Sequence, residues 1–160
     1  MERYRHTQRN ALIAVLVIVS ITGGTIVAAF ALSRSGADAI TPRAAAVIVI
    51  WACSLSLLVA GSFATLTVRL DESALYIRFG PLPFIRRAFA LGDVESAAPV
   101  TSPWYYGYGV HWFPGGTVYN VSGRWSVELL LRSGRRVRIG TDEPEALADA
   151  INKMLSERRR

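Results

Sequence analysis

Two long stretches of this chain carry no charge. Ala11–Leu32 is 22 residues without Asp, Glu, Lys or Arg, and Ala44–Val68 is another 25. A helix rises about 1.5 Å per residue, so 22 residues reach about 33 Å, against about 30 Å for the hydrocarbon core of a bilayer. The second stretch does not stay helical to its end. From Thr65 the order Thr-Leu-Thr-Val-Arg-Leu alternates with period two, which is a strand period. The helix is therefore expected to stop near Phe63. Its start is marked by Thr41-Pro42, an N-cap residue followed by proline at the first helical position.

These features give an expected plan: a basic head over 1–10, a transmembrane helical hairpin over 11–64, and a small domain over 65–160. The spans cover about 11–32 and 44–64, with an outside loop over 33–43. A cleaved signal is the competing reading, because Ala29-Phe30-Ala31 fits a small-x-small site. The first apolar run is longer than the 7–15 residues usual for a signal, and cleavage would leave the second span entering in the same sense. Small residues recur every fourth position: Ser20, Gly24 and Ala28 in the first span, Ala52, Ser56 and Ala60 in the second. Such ladders let helix backbones approach closely in lipid. Packing of the two spans on each other is the expected use, with a homo-oligomer through the same ladder as the alternative. Neither span holds a charged residue, which speaks against a proton relay or ion pathway.

The chain has 18 Lys plus Arg against 12 Asp plus Glu, a net charge of +6. Arg3, Arg5 and Arg9 precede the first span, and Arg69, Arg78, Arg86 and Arg87 follow the second, while the loop has only Arg34 and Arg43. Basic residues gather on the cytoplasmic side of a membrane protein. The head and the C-terminal domain are thus expected in the cytoplasm, on a multi-pass protein of the plasma membrane. From Arg69 onward there are 13 basic and 10 acidic residues, too balanced for a nucleic-acid partner. Cys53 is the single cysteine, and His6 and His111 are the only histidines. No disulfide within the chain and no Cys/His zinc site is possible, and no metal or cofactor is expected. For an enzyme, the best grouping is His111 with Asp93, Glu95 or Glu128. No spacing motif joins them, so no catalytic residues are assigned.

From Thr65 the sequence reads as eight short strands and one helix. Asp71-Glu72-Ser73 makes the first turn, and Gly80-Pro81-Leu82-Pro83 breaks the second run. A fourth strand around Val94–Ala98 is expected to end before Pro99. Pro114-Gly115-Gly116 is a tight-turn signal. The last hairpin can be placed in register: with Gly134 left-handed in an Arg132-Ser133-Gly134 loop, Leu129 faces Val137, Val127 faces Ile139, and Glu128 faces Arg138. A helix over 143–157 follows, with Asp142 and Glu145 as a capping pair. Leu147, Ala150, Ile151, Met154 and Leu155 form its apolar stripe. The fold class is thus an α+β domain, a small antiparallel sandwich or barrel capped by a C-terminal helix, on a two-helix anchor.

In this order, the opening hairpin Thr67–Phe79, the run Phe89-Ala90-Leu91-Gly92-Asp93-Val94, the turn Tyr119-Asn120-Val121-Ser122-Gly123 and the lead Arg138-Ile139-Gly140-Thr141-Asp142-Glu143-Pro144 resemble bacterial pleckstrin-homology-like (PH-like) domains. These occur in small membrane proteins, and the resemblance covers about Thr65–Leu155. It implies a binding or scaffolding module with no shared catalytic site. Phosphoinositide-binding relatives carry basic residues in the first hairpin turn. Here that turn is Asp71-Glu72-Ser73, so phosphoinositide recognition is not implied.

Two surfaces stand out as candidates. Trp104, Tyr105, Tyr106 and Tyr108 make a glycine-bearing aromatic loop, a composition enriched at interfaces; local packing over a sheet edge is the other reading. Arg86 and Arg87 suit anionic lipid. Arg132, Arg135 and Arg136 read as a solvated strand edge, and the sequon Asn120-Val121-Ser122 as a turn. The expected partners are the lipid bilayer and a protein. The alternative function is an accessory subunit of a membrane complex that works through its helical hairpin.

Overall fold

The computed structural model describes residues 2–33, 42–80, 85–103 and 107–159. The chain begins with a strand where a basic head is expected, which corrects that expectation. Arg3, Arg5, Thr7 and Arg9 are exposed, while Tyr4, His6, Gln8 and Asn10 are covered. That alternation makes strand β1 (Glu2–Arg9), which pairs antiparallel with β2 (Thr65–Asp71) and sets Arg9 opposite Thr65 and Arg5 opposite Arg69. Between these two adjacent strands run α1 (Ala11–Ser33) and α2 (Pro42–Phe63). The helix pair occupies the place a tight turn would take in a β-hairpin.

Both helices are long and apolar enough to cross a membrane, and α2 ends at Phe63 as its sequence implies. They pack on each other and turn large apolar side chains outward, with Val27 66% and Trp51 72% exposed. An apolar surface of this extent marks a contact with lipid or with another protein. Several of their hydroxyls bond within the helices: Thr22 donates to the Ile18 carbonyl, Thr25 to Ile21 and Ser62 to Leu58. Thr41 and most of the connecting loop lie outside the described residues.

After α2, all eight expected strands are present. β2, β3 (Ala74–Phe79) and β4 (Arg86–Ala90) extend the first sheet in the order β1-β2-β3-β4. A second sheet holds β5 (Val94–Thr101), β6 (Gly109–Phe113), β7 (Gly116–Asn120), β8 (Trp125–Leu131) and β9 (Arg136–Gly140), in the order β5-β8-β9-β7-β6. The β8–β9 register matches the sequence reading: Leu129 opposite Val137, Val127 opposite Ile139 and Glu128 opposite Arg138. Gly134 is left-handed, with φ +80°. Leu66, Val68, Leu70, Leu75, Ile77 and Phe79 from the first sheet share one core with Val127, Leu129, Val137 and Ile139 from the second.

Besides the head, three expectations need correction. β5 runs through Pro99, which pairs with Val127; β5 is an edge strand, where a missing N–H costs no ladder bond. The second sheet is not wholly antiparallel, because β7 and β9 are parallel. β9 returns antiparallel to β8 and inserts between β8 and β7, so it must run with β7. The connection over 121–124 then crosses two strand spacings, about 10 Å. Asn120 shapes this crossing by donating to the Gly123 carbonyl and accepting from the Ser122 N–H. Finally, α3 (Pro144–Arg158) begins at Pro144, but Asp142 does not cap it. Its carboxylate is drawn to His6, and the Thr141 hydroxyl accepts the Glu143 N–H instead.

Leu147, Ile151, Met154 and Leu155 bury the expected face of α3. Asn152 also closes the exposed edge of β5, accepting from the Ala97 N–H at 3.1 Å and donating to its carbonyl at 2.8 Å. Where the crossing loop passes β9, a Cβ on Gly140 would collide with the Asn120 side chain. Gly140→Ala is therefore expected to cost about 1–3 kcal/mol by overpacking, read as a lower midpoint of thermal unfolding. Gly92→Ala, where a Cβ would meet nothing within 4 Å, should leave that midpoint unchanged.

Candidate functional site

Asn10 is the residue on which the sheet, both helices and the crossing loop meet. It is 5% exposed. Its Oδ1 accepts the Leu12 N–H at 2.9 Å, an N-cap on α1. Its backbone N–H donates to the Ala64 carbonyl just past α2 at 2.9 Å, and its Nδ2 donates to the Val121 carbonyl. Next to it, Gln8 donates to the Ser122 carbonyl at 2.9 Å. On the other side of the junction, Gly80 lies against the end of α2. Its φ is +62°, and a Cβ there would sit 2.6 Å from the Gly61 carbonyl oxygen. The helices therefore meet the β domain at a packed joint, without a linker.

This joint fixes the outward face of the first sheet beside the helix ends. Successive rows read across the strands. Thr7, Thr67, Arg78 and Arg86 make one row, and Arg5, Arg69, Tyr76 and Ala88 make the next. A shallow cleft of about 410 Å³ lies over these rows, lined by Arg5, Arg69, Arg78, Arg86 and Arg87 with Thr67 and Tyr76. No carboxylate lines it. Arg69 reaches Asp71 at 3.1 Å beyond its rim, whereas Arg5, Arg78, Arg86 and Arg87 pair with no carboxylate among the described residues. Two of the cross-strand pairs are Arg5–Arg69 and Arg78–Arg86. Like charges directly opposed on a sheet are destabilising, and this face accepts two such pairs side by side.

The other predicted residues fall elsewhere. Tyr108 is 47% exposed. It lines a separate groove of about 530 Å³ between α1 and α2, together with Asn10, Ser20, Ser56, Ala60 and Phe63. Trp104, Tyr105 and Tyr106 lie outside the described residues. Gly24 faces α2, with Val49 and Cys53 within 4 Å of where its Cβ would be. Ala28, Ser56 and Ala60 are half-covered, while Ser20 and Ala52 are exposed. Arg132, Arg135 and Arg136 sit at the end of β8 and β9 away from the joint, and Arg132 donates to the Gly92 carbonyl. His111 bonds the Tyr108 carbonyl at 2.7 Å, and Glu128 holds Arg138 at 2.7 Å; no hydrogen bond or ion pair joins His111 to Glu128, Asp93 or Glu95 among the described residues. The same residues include no His/Cys/Asp/Glu group able to hold a metal ion. Arg5, Arg69, Arg78 and Tyr76 are the site residues that sequence reasoning missed. The signal was the alternation of β1, which places Arg5 on the same face as Arg69.

A second polar cluster ties β1 to the start of α3. His6 Nε2 lies 2.5 Å from Asp142 Oδ1, and Tyr4 donates to Glu143 Oε2 at 3.2 Å. Burial, the hydrogen bond to Glu143 and the nearby charges of Glu143 and Asp142 hold the Tyr4 phenol well above its ordinary pKa of 10.0.

No protein-family model matches the chain, and neither does any curated protein.

Asn10→Ala removes a cap and a buried donor together. It should cost about 2 kcal/mol of stability, seen as a lower unfolding midpoint of the detergent-solubilised chain. Tyr4 makes a pH-dependent contribution. Because folding favours the neutral phenol, its share of stability is full below pH 10 and falls as the pH rises beyond it. Tyr4→Phe should flatten that alkaline decline in a series of thermal melts.

Proposed function

We propose that this chain is a non-enzymatic, membrane-anchored binding module. Its two apolar helices cross the plasma membrane as a hairpin, and the β domain serves as a PH-like scaffold at the cytoplasmic face for a protein or lipid partner. The observation that carries this reading is the insertion of α1 and α2 between adjacent paired strands. Paired strands must lie on one side of a bilayer, because an exposed sheet cannot cross hydrocarbon with its edges open. Two helices leaving one end of such a sheet return the chain to its starting side. The arginine distribution then selects the cytoplasmic side.

The PH-like assignment draws support from two facing sheets closed by one C-terminal helix. The packed joint at Asn10 and Gly80 suits presentation of a surface at a set height above the membrane. A second reading makes the hairpin itself the working part, as in an accessory subunit. It is favoured by the groove between α1 and α2, where Ser20, Ser56 and Ala60 leave room for another helix.

Reporter fusions test the arrangement. A fluorescent protein that folds only in the cytoplasm should glow when fused before Met1 or after Arg160. An alkaline phosphatase, active only outside, should work when inserted near Asp38. Activity of the phosphatase at either terminus would overturn the reading.

A further inference from the structure

We infer that the arginine cleft on the outer face of the first sheet holds the phosphate group of an anionic phospholipid from the bilayer that the helices enter. The inference rests on the anchored reading and adds a ligand to it. The cleft is lined by five arginines, four of which (Arg5, Arg69, Arg78 and Arg86) stand on the outward rows of the sheet, with no carboxylate in its lining. A phosphodiester matches the planar fork of a guanidinium, and several forks converging on one cleft select phosphate over a neutral group. A zwitterionic headgroup carries an ammonium group as well, and this lining has no carboxylate to neutralise it.

Position favours a lipid over a soluble anion. β1 and β2 leave the helix ends at Arg9 and Thr65. The row holding Arg78 and Arg86 lies two residues further, within about 7 Å along the strands. The row of Arg5 and Arg69 lies within about 13 Å by the same spacing. The headgroup layer is itself about 5–7 Å deep on each side of the hydrocarbon, and charge is felt across about 10 Å at 0.1 M salt. The first row therefore stands in or at the headgroups, with the second inside their field. The opposed pair Arg78–Arg86, which no carboxylate among the described residues answers, is repulsive in the sheet alone, and a bound phosphate relieves it. Tyr76, 41% exposed, adds a hydroxyl beside them.

The full-length protein in phosphatidylcholine nanodiscs, with and without 20 mol% phosphatidylglycerol, supplies the test. Arginine reactivity toward phenylglyoxal is read peptide by peptide. Phosphatidylglycerol should slow modification of Arg78 and Arg86 at least fivefold and leave Arg135, at the opposite end of the domain, unchanged. Inorganic phosphate at 10 mM, added to phosphatidylcholine discs, should not reproduce this. Arg78→Gln/Arg86→Gln, provided it enters discs with unchanged circular dichroism, should retain at most a third as much phosphatidylglycerol after delipidation as the wild type. Equal protection by inorganic phosphate would make the site one for a soluble anion and overturn the lipid assignment. Wild-type protein that enters discs but gains no protection would overturn this inference alone. Protein that fails to enter discs would overturn the anchored reading and this inference with it.

Discussion

Everything in the molecule is arranged around the pairing of β1 with β2 across the helix hairpin. A strand pair is an exacting partner: a slip of one residue would turn Tyr4, His6, Gln8 and Asn10 outward and drive arginines into the core. That register fixes where α1 starts and where α2 ends, because Asn10 caps one helix and binds the backbone just past the other. It also locks the helices to the second sheet, through the bonds from Asn10 and Gln8 to the crossing loop. Local chemistry at a single asparagine is thereby passed to the geometry of the whole chain.

The electrostatics follow from the same pairing. β1 contributes Arg5 to one face and Tyr4 and His6 to the other. The inner set is answered by Glu143 and Asp142 at the start of α3. On the outer face Arg3 reaches Glu72, whereas Arg5 stands opposite Arg69. One strand thus separates a polar seam, tied to α3 through Tyr4 and His6, from a face rich in arginine. The chain tolerates that gathering of like charge where the sheet lies nearest the helix ends, while Glu128 holds Arg138 on the second sheet and Arg69 is drawn to Asp71.

Much of the fold was legible because apolar periodicity was strong where it mattered. The two long helices, the end of the second at Phe63, all eight strands after it and the register of the last hairpin follow from spacing and turn chemistry. β1 escaped notice because its covered residues are Tyr, His, Gln and Asn. Alternation of polar with charged residues carries no hydrophobic signal, although Asn10 directly before an apolar run was a cap in plain view. The parallel β7–β9 pair escaped because strand order is set by long-range packing. The cap at Asp142 failed because a histidine 136 positions away in sequence competes for the carboxylate. Of the arginine face, Arg86 and Arg87 were visible from their place near the anchor. Their companions needed the sheet to bring them together.

β1 and β2 are zipped together at the base of two helices long and apolar enough to cross a membrane. Thr7 and Thr67 are cross-strand partners with their hydroxyls 3.0 Å apart. Thr7→Cys/Thr67→Cys in a Cys53→Ala background places two thiols there and removes the only native one. Carbonate-washed membranes carrying this variant, treated with copper phenanthroline, should contain monomer with a fast-migrating intramolecular disulfide, whereas each single-cysteine control should not. Loss of the protein to the carbonate supernatant, or a cross-link found only between two copies, would contradict the account.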